Sequence, residues 1–153
     1  MKPGEKLKAL GIELPPAPEA LGSYVPARRT GNLVFLSGIL PLVDGKVLRK
    51  GKVGAELTLE EAQREAQKAA INALAIISSY AGGLENVAGC VKVTGYVASA
   101  PGFTEQHKVL NAVSDLVAQV FGESGKHARA AVGVGALPLD APLEVEFVFE
   151  VRG

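Results

Sequence analysis

The sequence predicts an α+β fold in which a single sheet carries two helices on one face. Three observations lead there. The candidate elements run strands, helix, strand, helix, strands over 153 residues. Thr58-Leu59-Glu60-Glu61 has the capping-box pattern and opens a long alanine-rich stripe at helical spacing. Leu143, Val145, Phe147, Phe149 and Val151 alternate with Glu144, Glu146 and Glu150, the period-2 pattern of a half-buried strand.

The elements follow in order. Residues 1–20, and by composition up to 23, read as an N-terminal arm that Leu7, Leu10, Ile12 and Leu14 can dock; Pro15, Pro16 and Pro18 oppose any long regular element there. Tyr24–Arg29 is a strand candidate that turns through Thr30-Gly31-Asn32 into Leu33–Leu36 and stops at Ser37-Gly38. Asp44-Gly45 between Leu42-Val43 and Val47-Leu48 signals a further hairpin. The first helix starts at Thr58, buries Ala62, Ala66, Ala69, Ala70, Ala73, Leu74 and Ile77, and ends at Gly82-Gly83. Val87–Ala98 holds a strand. A second helix from about Thr104 to Phe121 turns Val109, Leu110, Val113, Leu116, Val117 and Val120 inward, and Gly122 stops it. Ala130–Ala136 is apolar on both sides, which predicts a strand buried on both faces. Two helices cover one face of one sheet, so a second copy of the chain is expected on the other. The whole of 1–153 reads as one domain with no internal repeat.

Composition narrows the function. Hydrophobic residues make up 48%, enough for a sizeable core, and sixteen Lys+Arg balance sixteen Asp+Glu. Zero net charge and 5% aromatics without Trp argue against a nucleic-acid partner. No apolar run is long enough for a membrane span, and no apolar stretch follows the charged N-terminus, so a cytoplasmic protein is expected. Cys90 is the lone cysteine and reads as a small core residue; His107 and His127 are the two histidines and read as surface residues. None of them has metal-ligand spacing, and Gly31, Gly38 and Gly45 lack phosphate-loop spacing, so neither a metal nor a phosphate-loop site is expected.

Arg129 stands apart. It follows Lys126-His127-Ala128 and opens the most apolar strand of the chain. A guanidinium there cannot shed its proton and needs an anion, either a bound ligand or a carboxylate such as Glu144 or Glu146.

The surrounding residues carry a resemblance. His127-Ala128-Arg129-Ala130-Ala131-Val132-Gly133-Val134-Gly135-Ala136-Leu137-Pro138, followed by Glu144-Val145-Glu146, resembles the C-terminal signature of the RidA/YjgF family, also labelled endoribonuclease L-PSP. Upstream, Gly22-Ser23-Tyr24 resembles that family's G-P-Y, and Gly31–Gly38 its G-N-L-V-F-V-S-G. Asn72, Asn86-Val87, Val93, Asn111 and Phe121 fall into the same register, so the likeness covers about residues 20–151.

The resemblance implies a chorismate-mutase-like homotrimer, with sheets packed into a central barrel and three clefts between subunits. It implies that Arg129 binds a substrate carboxylate and that Glu144 positions or activates water. Tyr24, Ser37, Gly38, Asn111 and the Ala131 position would line the cleft. The implied reaction is hydrolytic deamination of 2-enamine or 2-imine acids to 2-keto acids and ammonia, without a cofactor. Several positions depart from the family pattern: His127 replaces a proline, Ala130 a Ser/Thr, Ala131 a Cys or Gln, and Ile39 a Gln. Extra residues lie in the arm and around Ser99–His107. Two other readings stay open, a non-catalytic trimer that binds small carboxylates and an endoribonuclease. Zero net charge and the lack of a His–His or His–Lys pair near Arg129 weigh against the latter.

Overall fold

The computed structural model describes residues 1–153. Helix α1, Pro3–Ala9, opens the chain and buries Leu7 in the core. The prolines do not prevent it, because Pro15, Pro16 and Pro18 lie beyond its end. Pro3 sits in its first turn, where a missing N–H costs nothing.

Strands β1 (Ala27–Thr30) and β2 (Leu33–Leu36) form a hairpin in which Thr30 pairs with Leu33. The predicted first strand begins three residues late, after Pro26, which has no N–H for a ladder. Strands β3 (Leu42–Val43) and β4 (Lys46–Val47) flank Asp44 and Gly45, whose φ angles of 51° and 76° are those of a tight hairpin turn.

Helix α2, Leu59–Ala81, has both capping-box bonds: Glu61 N–H donates to Thr58 Oγ1 at 3.2 Å, and Thr58 N–H to Glu61 Oε1 at 3.0 Å. Its alanine stripe is fully buried, so the helix backbone lies close to the sheet, and Gly82 ends it in the left-handed conformation. Strand β5 spans Val87–Ala98, and helix α3 spans Gln106–Phe121, two residues shorter at its start than its periodicity predicts. Strands β6 (Ala128–Val134) and β7 (Leu143–Val151) complete the sheet.

The sheet order is β1-β2-β7-β5-β6. β5 and β6 run parallel because α3 carries the chain back between them; every other pairing is antiparallel. α2 and α3 cover one face. Gly95 of β5 is what lets α3 settle, since a Cβ there would stand 2.6 Å from Leu110 Cδ2 and closer still to Cδ1 and Cγ. Phe147 and Phe149 point into the same layer with ring centroids 5.6 Å apart, and Phe121 meets Phe149 edge-on.

The other face is open. The expectation that Ala130–Ala136 is buried on both sides fails for a single chain. β6 is an edge strand, and Val132 is 42% exposed, alongside Val91 at 43% and Phe35 at 46%. Three large apolar side chains on one sheet face is the arrangement expected where another surface docks.

Candidate functional site

The residues singled out from the sequence gather into two groups. Pairing register decides which. Arg129 lies opposite Val93, while Glu144 lies opposite Tyr96. Val93, Gly95 and Val97 face the helices, so Thr94 and Tyr96 face away from them. Arg129 therefore points to the helical side of the sheet and Glu144 to the open side, with β5 between their strands. The internal ion pair between Arg129 and Glu144 or Glu146, one of the two alternatives for the guanidinium, does not form, because neither strand order nor pleat phase allows it.

The first group is built on β2, the turn after it and β7. Ser37, Gly38 and Tyr24 line one pocket with Ile39, Leu40 and Ile76. Ser37 Oγ donates to the Val25 carbonyl at 2.6 Å, and the Ser37 amide donates to the Pro26 carbonyl at 2.9 Å, tying the Tyr24 segment to the end of β2. Tyr24 is itself half exposed, and its hydroxyl accepts from the Leu21 amide at 3.2 Å. Ile39 pairs with Val145 by two backbone bonds of 2.8 and 2.9 Å, which brings Gly38 against Glu144. A Cβ on Gly38 would stand 2.9 Å from Glu144 Cδ and nearer to Oε2, so only glycine leaves the carboxylate where it is. Burial, and secondarily the charge of Glu146, push the Glu144 carboxyl above the usual carboxylate range. No protein donor holds its oxygens. Beside it Tyr96 donates its hydroxyl to Glu146, and that bond, more than burial or the Glu144 charge, raises the phenol and keeps it protonated.

The second group joins α3 to the start of β6. Arg129 Nη1 donates to Asn111 Oδ1 at 3.0 Å and to Ser114 Oγ at 3.1 Å, and Nη2 donates to the His107 carbonyl at 3.1 Å. All three acceptors are neutral. Ala131, two residues along the same strand, shares this side and packs against the core. Ser114 Oγ also lies 2.8 Å from His127 Nε2, whose Nδ1 is 2.7 Å from the Gly125 carbonyl. His107 is exposed as expected; His127 is half-buried and bonded through both ring nitrogens, which corrects its reading as a surface residue. Ser114, His127 and Tyr96 were not foreseen as site residues. The signals were present. Ser114 is three residues from Asn111 on one helix, and His127 is two residues from Arg129, on the same side of an extended chain. Cys90 is buried, and burial drives its thiol up to about 12, which fits a core residue and removes it as a nucleophile.

A mixed sheet with helices on one face makes this an α+β protein, with a carboxyl that no protein donor holds on one side of the sheet and a guanidinium in a neutral cradle on the other. The family is shown by sequence: residues 4–151 match the family described as "YjgF/chorismate mutase-like, putative endoribonuclease", and the chain belongs to it. It is 40% identical over 147 residues to Protein TCP17 of Trypanosoma cruzi, covering 95% of this chain and 92% of that one. It is 30% identical over 141 residues to the 2-iminobutanoate/2-iminopropanoate deaminase of Dermatophagoides farinae, covering 92% and 95%. Among solved structures, a protein of unknown function from Agrobacterium tumefaciens superposes with a TM-score of 0.91 at 42% identity, over 98% of this chain and 92% of that one. The serine-bound TdcF of E. coli superposes with a TM-score of 0.59 at 25% identity, over 90% and 94%. No helix is long and apolar enough to cross a membrane.

Proposed function

We propose that the protein hydrolyses 2-imino acids, and their enamine tautomers, to 2-keto acids and ammonia in clefts formed between copies of the chain. The observation that carries this reading is the state of Arg129. Three of its five N–H donors are spent on neutral acceptors and no carboxylate neutralises it, so Nε–H and one Nη2 proton are left for a ligand carboxylate. Glu144 supplies the complementary function. An unpaired carboxyl whose proton affinity is raised can take a proton from water and return it later.

In the proposed reaction Arg129 holds the substrate carboxylate and so fixes the adjacent imine carbon. Water attacks that carbon as Glu144 accepts one of its protons, the imine π-electrons move to nitrogen, and Glu144 passes that proton to the nitrogen to give the carbinolamine. The carbinolamine then collapses. Glu144 takes the hydroxyl proton as the carbonyl forms and delivers it to the departing nitrogen as the C–N bond breaks, so that nitrogen leaves as ammonia. Water in, ammonia out; no electrons are exchanged, and no cofactor is called for.

Because Arg129 and Glu144 sit on opposite faces of one sheet, we infer that each cleft takes one group from each of two copies, assembled as a homotrimer whose open sheet faces form a central barrel. The chain 1–153 acts in it as one domain, with residues 1–20 as an arm. Light scattering should give about three times the 15.8 kDa chain mass. The D. farinae relative's name and the serine bound to the E. coli structure agree with a small amino-acid-derived substrate.

The test uses iminopropanoate or iminobutanoate generated in situ by an amino-acid dehydratase, with release of ammonia followed. Wild type should accelerate it, and Arg129→Ala should lose at least about 30-fold in kcat/KM while staying folded, since the mutation orphans no buried charge. No acceleration by wild type would refute the reading. A second reading rests on Ala131, which brings no functional group to the cleft: a trimer that binds the same carboxylates without turnover. Wild type that binds 2-keto acids yet leaves imine decay unchanged would establish it.

A further inference from the structure

The hydrogen-bond chain behind Arg129 has its direction fixed by its two ends. A guanidinium has no acceptor, so at the Arg129–Ser114 contact the serine oxygen accepts. A carbonyl has no proton, so at the His127–Gly125 contact the ring Nδ1 must donate. In the neutral ring that leaves Nε2 as the acceptor, and the one group within reach to supply it is the Ser114 hydroxyl, 2.8 Å away. Every proton then has one place: Arg129 to Ser114, Ser114 to His127, His127 to the Gly125 carbonyl.

We infer that Ser114 and His127 are positioning residues for the Arg129 carboxylate clamp, His127 engaging the serine proton so that a serine lone pair stays aimed at Nη1. This rests on the clamp reading above and adds to it. Arg129 needs such help. It stands on an edge strand, is only half-buried and has four side-chain torsions to hold. Asn111 fixes one Nη1 proton and the His107 carbonyl one Nη2 proton; the Ser114 bond is the third point that sets the plane of the fork. The backbone at each end is anchored independently. Gly125 belongs to the short 3₁₀ turn Gly122–Gly125 that closes α3, so the chain links the far end of that helix to the side chain near its start. Bonds aligned in one direction polarise and reinforce one another.

The experiment measures binding of 2-oxobutanoate, steady-state imine hydrolysis and the histidine ring ¹⁵N shifts on the same proteins. Wild type should show His127 protonated at Nδ1 and bare at Nε2. His127→Leu should weaken 2-oxobutanoate binding and raise KM about 5-fold, the worth of one neutral hydrogen bond, with kcat changed less than about 2-fold. His127→Gln, whose side-chain oxygen can accept from Ser114, should restore most of that loss. Ser114→Ala should weaken binding by a similar factor, and adding His127→Leu to it should cost nothing more.

A proton on Nε2 in a wild type that does bind 2-oxobutanoate would overturn the relay alone and leave the clamp standing. Equal binding by the Leu and Gln variants, or additive losses in the double variant, would do the same. Wild type that binds no 2-keto acid would remove the clamp and the relay together.

Discussion

Replacing Gly38 with alanine tests Glu144 without touching its chemistry. The Gly38 backbone is in a conformation open to any residue, so the new methyl adds no backbone strain; its nearest conflicts are all with Glu144. The added Cβ would lie 2.9 Å from the carboxyl carbon and 3.2 Å from Cγ, and closer to Oε2. To regain ordinary van der Waals separation the carboxylate must retreat by about 1 Å. The glutamate is half-exposed and can do so by turning its side chain off its preferred rotamer, at about 0.5–1.5 kcal/mol. For a domain of this length that is a fall in melting temperature of roughly 2–5 °C. Activity should suffer far more, by about 100-fold in kcat, because a general base misplaced by that distance no longer reaches its water. The assay pairs a thermal melt with coupled ammonia release. Full turnover in a Gly38→Ala protein with a normal melt would refute the placement of Glu144 in the chemistry. A melt lowered by more than about 10 °C would show that Glu144 is locked rather than free to turn.

Glu144→Gln should abolish turnover and raise the melting temperature near pH 7. A folded-state pKa above the unfolded value means the ionised group opposes folding, so the gain over wild type should shrink as pH falls through the raised folded value toward the unfolded one. A stability gain that persisted at pH 3 would contradict this. Gly95→Ala should destabilise by roughly 1–3 kcal/mol in a denaturant titration, because Leu110 is fully buried and α3 must move with it; an unchanged midpoint would mean that the helix is less tightly seated. Native protein should leave Cys90 unreacted with a thiol reagent at pH 8 over hours, and rapid labelling would contradict a buried thiol raised to about 12.

Much of the fold is legible one element at a time. β7 has the predicted bounds, because Leu143–Val151 is patterned by burial, and β5 fills the whole Val87–Ala98 segment within which a strand is expected. α2 is legible from Thr58, Glu61 and Gly82, each of which acts within one turn. What depends on relations between elements is not. Of the two partners open to Arg129, the carboxylate drops out because β5 lies between β6 and β7, and nothing in the residues of β6 reveals its neighbour. The apolar pattern of Ala130–Ala136 reads as double burial, yet as an edge strand it shows its outer side. Tyr24, Ser37, Gly38 and Glu144 do come together, as do Arg129, Asn111 and Ala131, but their division into two sets is a matter of pleat phase across three strands.

The placement of Arg129 and Glu144 on opposite faces also bears on inheritance. Under the shared-cleft reading a subunit is a donor of arginine at one boundary and of glutamate at another, so two differently broken alleles need not give a broken phenotype. Chains lacking the arginine and chains lacking the glutamate, expressed together in equal amounts and mixing freely around a ring, would rebuild about a quarter of the clefts from intact halves. Either allele alone would rebuild none. A gene for such a protein can therefore show complementation between alleles of a single locus, a pattern more often taken as the mark of two genes.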